Sequence, residues 1–225
     1  MEFIITQASS FAKDIDNLII LIFYITGFWL ILAQFIFVYF IVKYRKSKNA
    51  TASYISGDNP KDKKFIKIAD VAIILCDIVI IFFAIVAWYN IKQVIPPPDE
   101  TIRVVGYQWA WKFVHPGADK QLDTEDDIVT VDELHLRKDA LYNYKLQSED
   151  VLHSFSIPAF RLKQDAIPGR EILGWFKPIK TGNFDFQCAE ICGIGHGVMY
   201  ATVQVYEDAE YEQWILENSP VVASQ

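Results

Sequence analysis

The sequence is poor in side chains that bind soft metal ions, since its 225 residues include only three cysteines, two methionines and four histidines. It contains no Cys-x-x-Cys-His motif, and this absence excludes a covalently attached c-type haem. The formal net charge of −7 argues against nucleic acid as a partner. Four of the nine scarce side chains nevertheless lie between Cys188 and Met199. This segment is therefore the first candidate for a metal site.

The segment from Cys188 to Met199, here called the copper loop, also carries Cys192 and His196. Thiolate and thioether sulfur favour Cu(I), and imidazole binds copper in both oxidation states, so this set suits copper. A mononuclear blue copper site needs only one cysteine, so the second one indicates two copper ions bridged by two thiolates. A disulfide and a zinc site are the alternatives. A zinc site has little use for Met199, and a disulfide does not explain the histidine.

A binuclear centre needs a second histidine, and His153 is the best candidate. It lies in an apolar, strand-like run from Val151 to Ile157, whereas His115 lies in a His-Pro-Gly turn and His135 in a polar alternation. The third cysteine, Cys76, lies in a long apolar run, where we expect an inert packing residue.

Charged residues are absent from the 25 residues between Leu18 and Val42, a run longer than the ~20 residues needed to span a membrane. A second apolar run covers about 68–90 and ends near the aromatic pair Trp88-Tyr89, which is typical of a membrane interface. Eight basic and two acidic residues lie between them at 43–67, so we expect this loop in the cytoplasm and both termini outside. A cleaved signal peptide is the weaker interpretation, because no basic segment precedes the first run.

Three prolines at 96–98 cannot continue a helix, so we place a boundary between a membrane hairpin at 1–95 and an outer domain at 96–225. Short apolar runs separated by turn residues predict that this domain is a Greek-key β-sandwich. The predicted strands are 102–105, 128–131, 141–146, 151–157, 172–176, 184–186 and 200–206, and a short helix is predicted at 209–217.

An aromatic stripe stands near the start of this domain, in the segment Gly106–Trp111. Strict alternation would place Tyr107, Trp109 and Trp111 on one face of a strand. Such a stripe serves core packing more often than it serves a functional site.

The copper loop, the segment Asp150–Pro158 (DVLHSFSIP) and the segment Asp165–Arg170 (DAIPGR) resemble subunit II of the haem-copper cytochrome c oxidases. The resemblance covers nearly the whole chain and implies a cupredoxin fold with the binuclear copper centre CuA. The implied copper ligands are two bridging thiolates, two terminal imidazoles and two axial groups: Cys188, Cys192, His153, His196, Met199 and the backbone carbonyl of Glu190.

The resemblance also implies roles outside the copper ligands. The motif Gln-Trp-x-Trp at 108–111 carries over Trp109 as the surface aromatic that receives an electron from the donor. The Glu190 side chain would help to hold Mg²⁺ at the interface with the large subunit. Carboxylates at membrane depth are costly and commonly functional, so Asp70 and Asp77 are candidates for proton uptake. The Glu, Trp-Thr and Pro of the family's second helix are absent here, and Asp70 could simply lie at the cytoplasmic interface.

The expected function is that of the electron-accepting subunit of a respiratory oxidase in a bacterial inner membrane, with the copper domain in the periplasm. Electrons from cytochrome c or a similar donor would pass to haem in subunit I, where O2 is reduced to water and protons are translocated. Haem would belong only to partner subunits. The alternatives are the CuA subunit of a membrane nitric oxide reductase and a membrane-tethered copper-binding protein. The latter predicts the copper loop but neither Trp109 nor the segment Asp165–Arg170.

Acidic residues are concentrated in the outer domain, which contains 21 of them against 11 basic residues from residue 96 onward. Such a surface would attract a cationic donor. Asp150, beside the proposed ligand His153, is the best candidate for a docking carboxylate. The acidic cluster at 119–127 is not an EF-hand, because Ile128 stands where a glycine is required, and we expect a solvated loop.

Overall fold

The computed structural model describes residues 5–47, 51, 57 and 60–220, without the side chains of residues 61 and 62. Ten of the 25 residues of the predicted basic loop at 43–67 therefore lie outside the described residues. The chain divides into two compact units. One is a pair of long helices between Asp16 and Trp88, and the other is a β-domain that combines the N-terminal residues up to Ile15 with the chain from Tyr89 onward.

The helix α1 spans Ala12–Lys43, and α2 spans Pro60–Trp88 before a short π-helical turn at Tyr89–Gln93. Both are long and apolar enough to cross a membrane. Large apolar side chains are exposed all around them, as at Ile31 and Phe65. A helix that is apolar on every side suits a lipid environment rather than the surface of a water-soluble domain.

The β-domain consists of two five-stranded sheets, in the orders β3-β2-β1-β5-β8 and β4-β10-β9-β6-β7. The strands are β1 (Glu100–Tyr107), β2 (Ala110–His115), β3 (Ile128–Val131), β4 (Glu133–Arg137), β5 (Tyr142–Ser148), β6 (His153–Ile157), β7 (Leu162–Ala166), β8 (Ile172–Phe176), β9 (Gly182–Cys188) and β10 (Tyr200–Tyr206). The helix α3 (Asp208–Asn218) follows β10. The prediction of two apolar helices followed by a β-sandwich is confirmed.

The core between the sheets is aromatic. Trp111 packs edge-on against Phe186 with ring centroids 4.8 Å apart, and Phe155 lies 5.0 Å from Phe186. All three side chains are fully buried. Burial of each contributes on the order of 2 kcal/mol, so this cluster fixes β2, β6 and β9 firmly against one another.

The chain reverses at Gln108 and Trp109, where β1 turns into β2. Gly106 pairs with Trp111 and Tyr107 with Ala110, which leaves Trp109 in the turn. The prediction that Tyr107, Trp109 and Trp111 share one face of a strand is therefore wrong. Trp111 belongs to the core, whereas Trp109 is 39% exposed.

The first described residues, 5–15, form an N-terminal strap on the β-domain, which the predicted boundary at 95/96 did not anticipate. Phe11 is buried and packs edge-on against Trp175, with ring centroids 5.3 Å apart. Ser9 forms a β-bridge with Pro178, and its hydroxyl donates to the carbonyl of Phe160 at 2.7 Å. The domain is thus completed by residues from both sides of the two long helices.

A second cluster of buried residues holds α3 against the sandwich. The ring of His135 stacks on Trp214 at 4.2 Å and lies parallel to Tyr206 at 5.8 Å. His115 is fully buried beside them, and its Nδ1 has no hydrogen-bond partner among the described residues. Two effects lower the pKa of His115 to about 3: burial is the larger, and repulsion from the nearby His135 is the smaller.

This pKa predicts that the β-domain loses stability in acid. The unfolded chain protonates His115 as the pH falls through its ordinary value near 6.5, whereas the folded chain resists protonation down to about pH 3. Above about pH 6.5, neutral His115 makes its full contribution to the free energy of unfolding. Below that pH the free energy of unfolding decreases, by about 2–3 kcal/mol at pH 4.5. Urea unfolding followed by tryptophan fluorescence at pH 7.5 and 4.5 measures this loss. His115→Leu should remove most of it, and an equal loss in the variant would contradict the assignment.

Candidate metal centre

Three strand ends meet at the end of the sandwich where the proposed ligands lie. Strand β9 ends at Cys188, and the antiparallel β10 begins at Tyr200, so the copper loop connects two neighbouring strands. Strand β6 pairs with β9 through Phe155 and Cys188, which brings its first residue, His153, to the same end. The backbone at Gly193 has φ +123°, a conformation that favours glycine, and it lets the loop fold back over the strand ends.

The two cysteines form the centre of the site. Their sulfur atoms lie 3.8 Å apart, which is well beyond the ~2.05 Å of a disulfide bond. On one side, Cys188 Sγ lies 4.0 Å from Nδ1 of His153 and 3.3 Å from the backbone oxygen of Glu190. The ligand atoms of His153, Cys188 and Cys192 lie within 4.8 Å of one another.

The other side of the site is completed by the end of the copper loop. Cys192 Sγ lies 3.7 Å from Nδ1 of His196 and 3.6 Å from Sδ of Met199. The structure thus brings together all six groups that the resemblance implied as copper ligands. Each cysteine sulfur has three of these groups nearby, and one of the three is the other cysteine sulfur. The donors are two sulfurs, two imidazoles, one thioether and one carbonyl, a set that fits a binuclear copper centre.

The surroundings of the cysteines resist charge. Cys188, Cys192, Met199 and His153 are all buried, and His196 is half-buried. Burial and the neighbouring Cys188 raise the pKa of Cys192 to about 11. Two thiolates this close repel each other strongly, so both ionise only when bound cations compensate their charge.

Asp150 connects the proposed ligand His153 to the turn that carries Trp109. Its Oδ1 accepts hydrogen bonds from Nε2 of His153 at 2.8 Å and from the backbone of Val151 at 2.6 Å. Its Oδ2 accepts from the backbone N–H of Gln108 at 2.6 Å. Burial raises the pKa of Asp150, but the hydrogen bonds from His153, Val151 and Gln108 outweigh it and lower that pKa overall. A carboxylate on Nε2 leaves the lone pair of Nδ1 available to a metal.

Trp109 contacts the copper loop directly. Its indole Nε1 donates to the backbone carbonyl of Cys192 at 3.3 Å, and the side-chain amide of Gln108 donates to the same oxygen at 2.8 Å. A side chain on Gly195 would collide with the indole ring, so glycine is required for this close approach. Sequence reasoning missed Gln108 and Gly195, although both lie within motifs that it had noted.

The remaining predicted residues are the Glu190 side chain and two acidic residues of the helix pair. The Glu190 side chain is half-buried, while its backbone oxygen faces Cys188. Asp70 and Asp77 lie on α2. Asp77 lines a cavity of about 370 Å³ between the two long helices, together with Thr26 and Cys76. Cys76 thus belongs to a different unit of the chain from the two cysteines of the loop.

Comparison with known proteins agrees with this geometry. The family model described as cytochrome C oxidase subunit II, periplasmic domain, matches residues 100–206. The alternative cytochrome c oxidase subunit 2 of Bradyrhizobium diazoefficiens is 32% identical over 224 residues, which cover 89% of this chain and 79% of that protein. The probable cytochrome c oxidase subunit 2 of Rickettsia bellii is 31% identical over 188 residues, or 74% of this chain and 69% of that protein.

A solved structure shows the same fold. The crystal structure of the periplasmic domain of subunit II of cytochrome oxidase of Bradyrhizobium japonicum has a TM-score of 0.50 and 31% identity to this chain. The match covers 56% of this chain and 96% of that domain.

The contacts of Asp150 predict that it supports metal binding. Asp150→Ala removes the carboxylate that orients His153, and we expect Cu(I) affinity to fall by about 10–100-fold, as for other carboxylates behind a ligating histidine. Competition with a Cu(I) chelator measures the affinity. Glu149→Ala is the matched control, because it removes a neighbouring carboxylate that pairs with Lys112 instead. Equal affinities for the Asp150 variant and the unmodified chain would contradict this role.

Proposed function

The chain belongs to the cytochrome c oxidase subunit II family, and we propose that it is the subunit through which electrons enter a respiratory haem-copper oxidase. It would receive them from cytochrome c or a similar periplasmic donor and pass them to haem in subunit I, where O2 is reduced and protons are translocated. The observation that carries this proposal is the gathering of two thiols, two imidazoles and a thioether around sulfurs 3.8 Å apart. We propose a bacterial inner membrane as its location, with the copper domain and both termini in the periplasm.

The geometry supports the ligand roles that the resemblance implies. Cys188 and Cys192 would bridge two copper ions, with His153 and His196 as terminal ligands. Met199 and the carbonyl of Glu190 would be the weaker axial ligands, one on each side. A pair of copper ions held by these residues would supply one-electron transfer. The chain contributes a buried site braced by strand ends, which excludes water and limits rearrangement of the ligands.

Trp109 is proposed to receive electrons from the donor. It is partly exposed, and its indole N–H is bonded to the carbonyl of a bridging cysteine. The route from the protein surface to the ligand therefore needs only one aromatic ring and one hydrogen bond. Tyr107 and Trp111 are proposed to be packing residues, and the burial of Trp111 supports this.

Glu190 is proposed to serve two metals through different atoms. Its backbone oxygen faces Cys188, which leaves the carboxylate free to point elsewhere. Carboxylate oxygen is a hard ligand that suits Mg²⁺ and not Cu(I). We therefore keep the proposal that the side chain helps to hold Mg²⁺ at the interface with subunit I.

Asp77 is the better of the two proposed groups for proton uptake. It lines a cavity that also contains the hydroxyl-bearing Thr26, so polar atoms from both helices meet there. Asp70 lies seven residues earlier, on the same face of α2. Ionisable groups at this depth commonly face partner helices, which here would belong to subunit I.

Copper stoichiometry tests the proposed centre. The full chain in detergent, refolded with copper, should bind two copper ions and give an electron paramagnetic resonance spectrum in which one unpaired electron couples to both nuclei. Cys192→Ser should abolish this coupling because it removes one bridge. Cys76→Ser is the matched control and should retain both metals. One copper per chain would refute the binuclear assignment.

The role of Trp109 is tested by the rate of reduction. Trp109→Ala should lower the rate at which a reduced c-type cytochrome transfers its electron by about tenfold or more, because an anchoring contact and the aromatic route are both lost. The copper spectrum should remain unchanged, since Trp109 is not a ligand. Stopped-flow absorbance measures both. Trp214→Ala, an aromatic deletion beside α3, is the control, and an unaffected rate in Trp109→Ala would assign the residue to packing.

A further inference from the structure

We propose that copper enters the metal centre from the side of His196, through a cavity on the outer face of β9 and β10. This cavity, here called the entry cavity, has a volume of about 580 Å³. The inference rests on the proposed binuclear copper centre and specifies the route by which the metal reaches it. The residues that line the entry cavity include Asp185, Gln187, His196, Gly197, Tyr200 and Thr202.

The proposed ligand side chains differ in how easily an incoming ion can reach them. His153 is fully buried, and Cys188, Cys192 and Met199 are buried as well. His196 alone among these side chains is half-buried. A metal site needs an entry path as well as ligands. An ion that arrives from solvent therefore meets His196 before any other ligand side chain.

The entry cavity connects His196 to the sulfur atoms of the centre. Cys188 and Met199 line it together with His196, so it reaches a thiol, a thioether and an imidazole, which all suit copper. The Sγ atom of Cys188 lies 4.0 Å from Nδ1 of His153 and 3.8 Å from Sγ of Cys192. An ion that has reached Cys188 is therefore next to the two ligands that do not line the cavity.

The turn between β1 and β2 closes the other side of the centre. The side chains of Gln108 and Trp109 both donate to the carbonyl of Cys192. On the same side, Asp150 accepts a hydrogen bond from Nε2 of His153 at 2.8 Å and another from the backbone of Gln108. Packed protein of this kind leaves few voids larger than a water molecule. An ion would have to displace the turn in order to enter there.

The register of β9 and β10 explains the polar lining of the entry cavity. Asp185 pairs with Thr202, and Gln187 pairs with Tyr200. Side chains alternate between the two faces of a strand, so these four polar residues share the outer face, whereas the next residue of β9, Cys188, is buried. The outer face of the sheet thus leads along polar groups to a buried thiol.

The charge of the lining favours a cation. Asp185 is exposed and contributes a carboxylate, and the lining, as far as the structure describes it, contains neither lysine nor arginine. A cleft lined by charge of one sign raises the local concentration of ions of the opposite sign. Asp185 is therefore proposed to attract Cu(I) towards the ligands without binding it in the final site.

The test blocks the entry cavity and measures copper uptake by the full copper-free chain in detergent. Cu(I) is supplied as its acetonitrile complex without oxygen, and stopped-flow absorbance follows the formation of copper–thiolate bonds. Gly197 is suited to the block, because a side chain there would meet no atom within 4 Å. Gly197→Trp should lower the rate constant of uptake by about tenfold, because the indole obstructs the route. Affinity and the final two copper ions per chain should be unchanged.

Two matched controls accompany the block. Gly197→Ala adds only a methyl group and should leave the rate unchanged. Leu152→Trp adds an equally large ring on the other side of the centre, where Leu152 is 38% exposed and follows Val151 and Asp150. We expect it to leave the rate of uptake unchanged, because copper does not pass there.

Thiol labelling supplies a readout that needs no metal. Iodoacetamide is added to the copper-free chain in a Cys76→Ser background, and mass spectrometry of the peptides gives the labelling rate of each cysteine. Cys188, which lines the entry cavity, should react faster than Cys192, which does not. Gly197→Trp should slow the labelling of Cys188 in parallel with copper uptake.

Charge reversal at Asp185 tests the attraction of the cation. Asp185→Lys should lower the rate constant of uptake by about threefold or more at about 20 mM ionic strength and by less at about 200 mM, because salt screens the charge. Glu217→Lys is the control, because Glu217 is an exposed acidic residue of α3, which follows the other end of β10. Equal rates for the Asp185 variant and the unmodified chain would contradict the role of Asp185.

Each contrary result has a distinct meaning. Unchanged uptake in Gly197→Trp overturns the entry route, and slower uptake in Leu152→Trp alone assigns entry to the β1–β2 turn. If Gly197→Trp also weakens copper affinity, Thr202→Trp decides by the same criterion: slower uptake at unchanged affinity supports the route, and an unchanged rate overturns it. Two copper ions per chain with unaltered rates in every variant refute the entry route alone. One copper ion per unmodified chain refutes the binuclear centre of the proposed function.

Discussion

The approach of two cysteine sulfurs to 3.8 Å in a buried site is the constraint on which the rest of the domain depends. Burial and mutual repulsion oppose ionisation there, as the raised pKa of Cys192 indicates. The scaffold must therefore hold both thiols in place before any metal compensates their charge. Backbone hydrogen bonds from Cys188 to Met199 and from Ala189 to Ser154, at 3.1 and 3.0 Å, fix the start of the copper loop to β6 and to its own end.

The carbonyl of Cys192 and the carboxylate of Asp150 connect this site to the surface. Gln108 and Trp109 both donate to the carbonyl of Cys192. The carboxylate of Asp150 accepts from the backbone of Gln108 and from His153. The turn between β1 and β2 is thus joined by hydrogen bonds to Cys192 directly and to His153 through Asp150, two proposed ligands on either side of the sulfur pair. A displacement of this turn would therefore reach both proposed ligands without an intervening flexible segment.

The sequence was informative wherever a feature depends on near neighbours in the chain. The copper loop could be predicted because four candidate ligand side chains, two Cys, a His and a Met, lie within twelve residues. The runs 128–131, 172–176 and 200–206 coincide with β3, β8 and β10. The turn at Trp109 was missed because none of its residues, 107–110, is a glycine or proline. The N-terminal strap was missed because Phe11 meets Trp175 only in the folded chain. Long-range contacts of this kind leave no periodic pattern.

The acidic residues likewise show that composition does not reveal where side chains lie in the folded domain. The domain carries ten more acidic than basic residues after residue 95, which by itself suggests attraction of a cationic partner. The antiparallel strands, however, carry the acidic loop and α3 away from Trp109, and local pairing neutralises Glu149. What a partner meets at the turn is set by the nearest side chains, because screening removes the more distant charges. The direction of each strand therefore determines which charges lie near this turn, and the net charge of the chain alone does not reveal it.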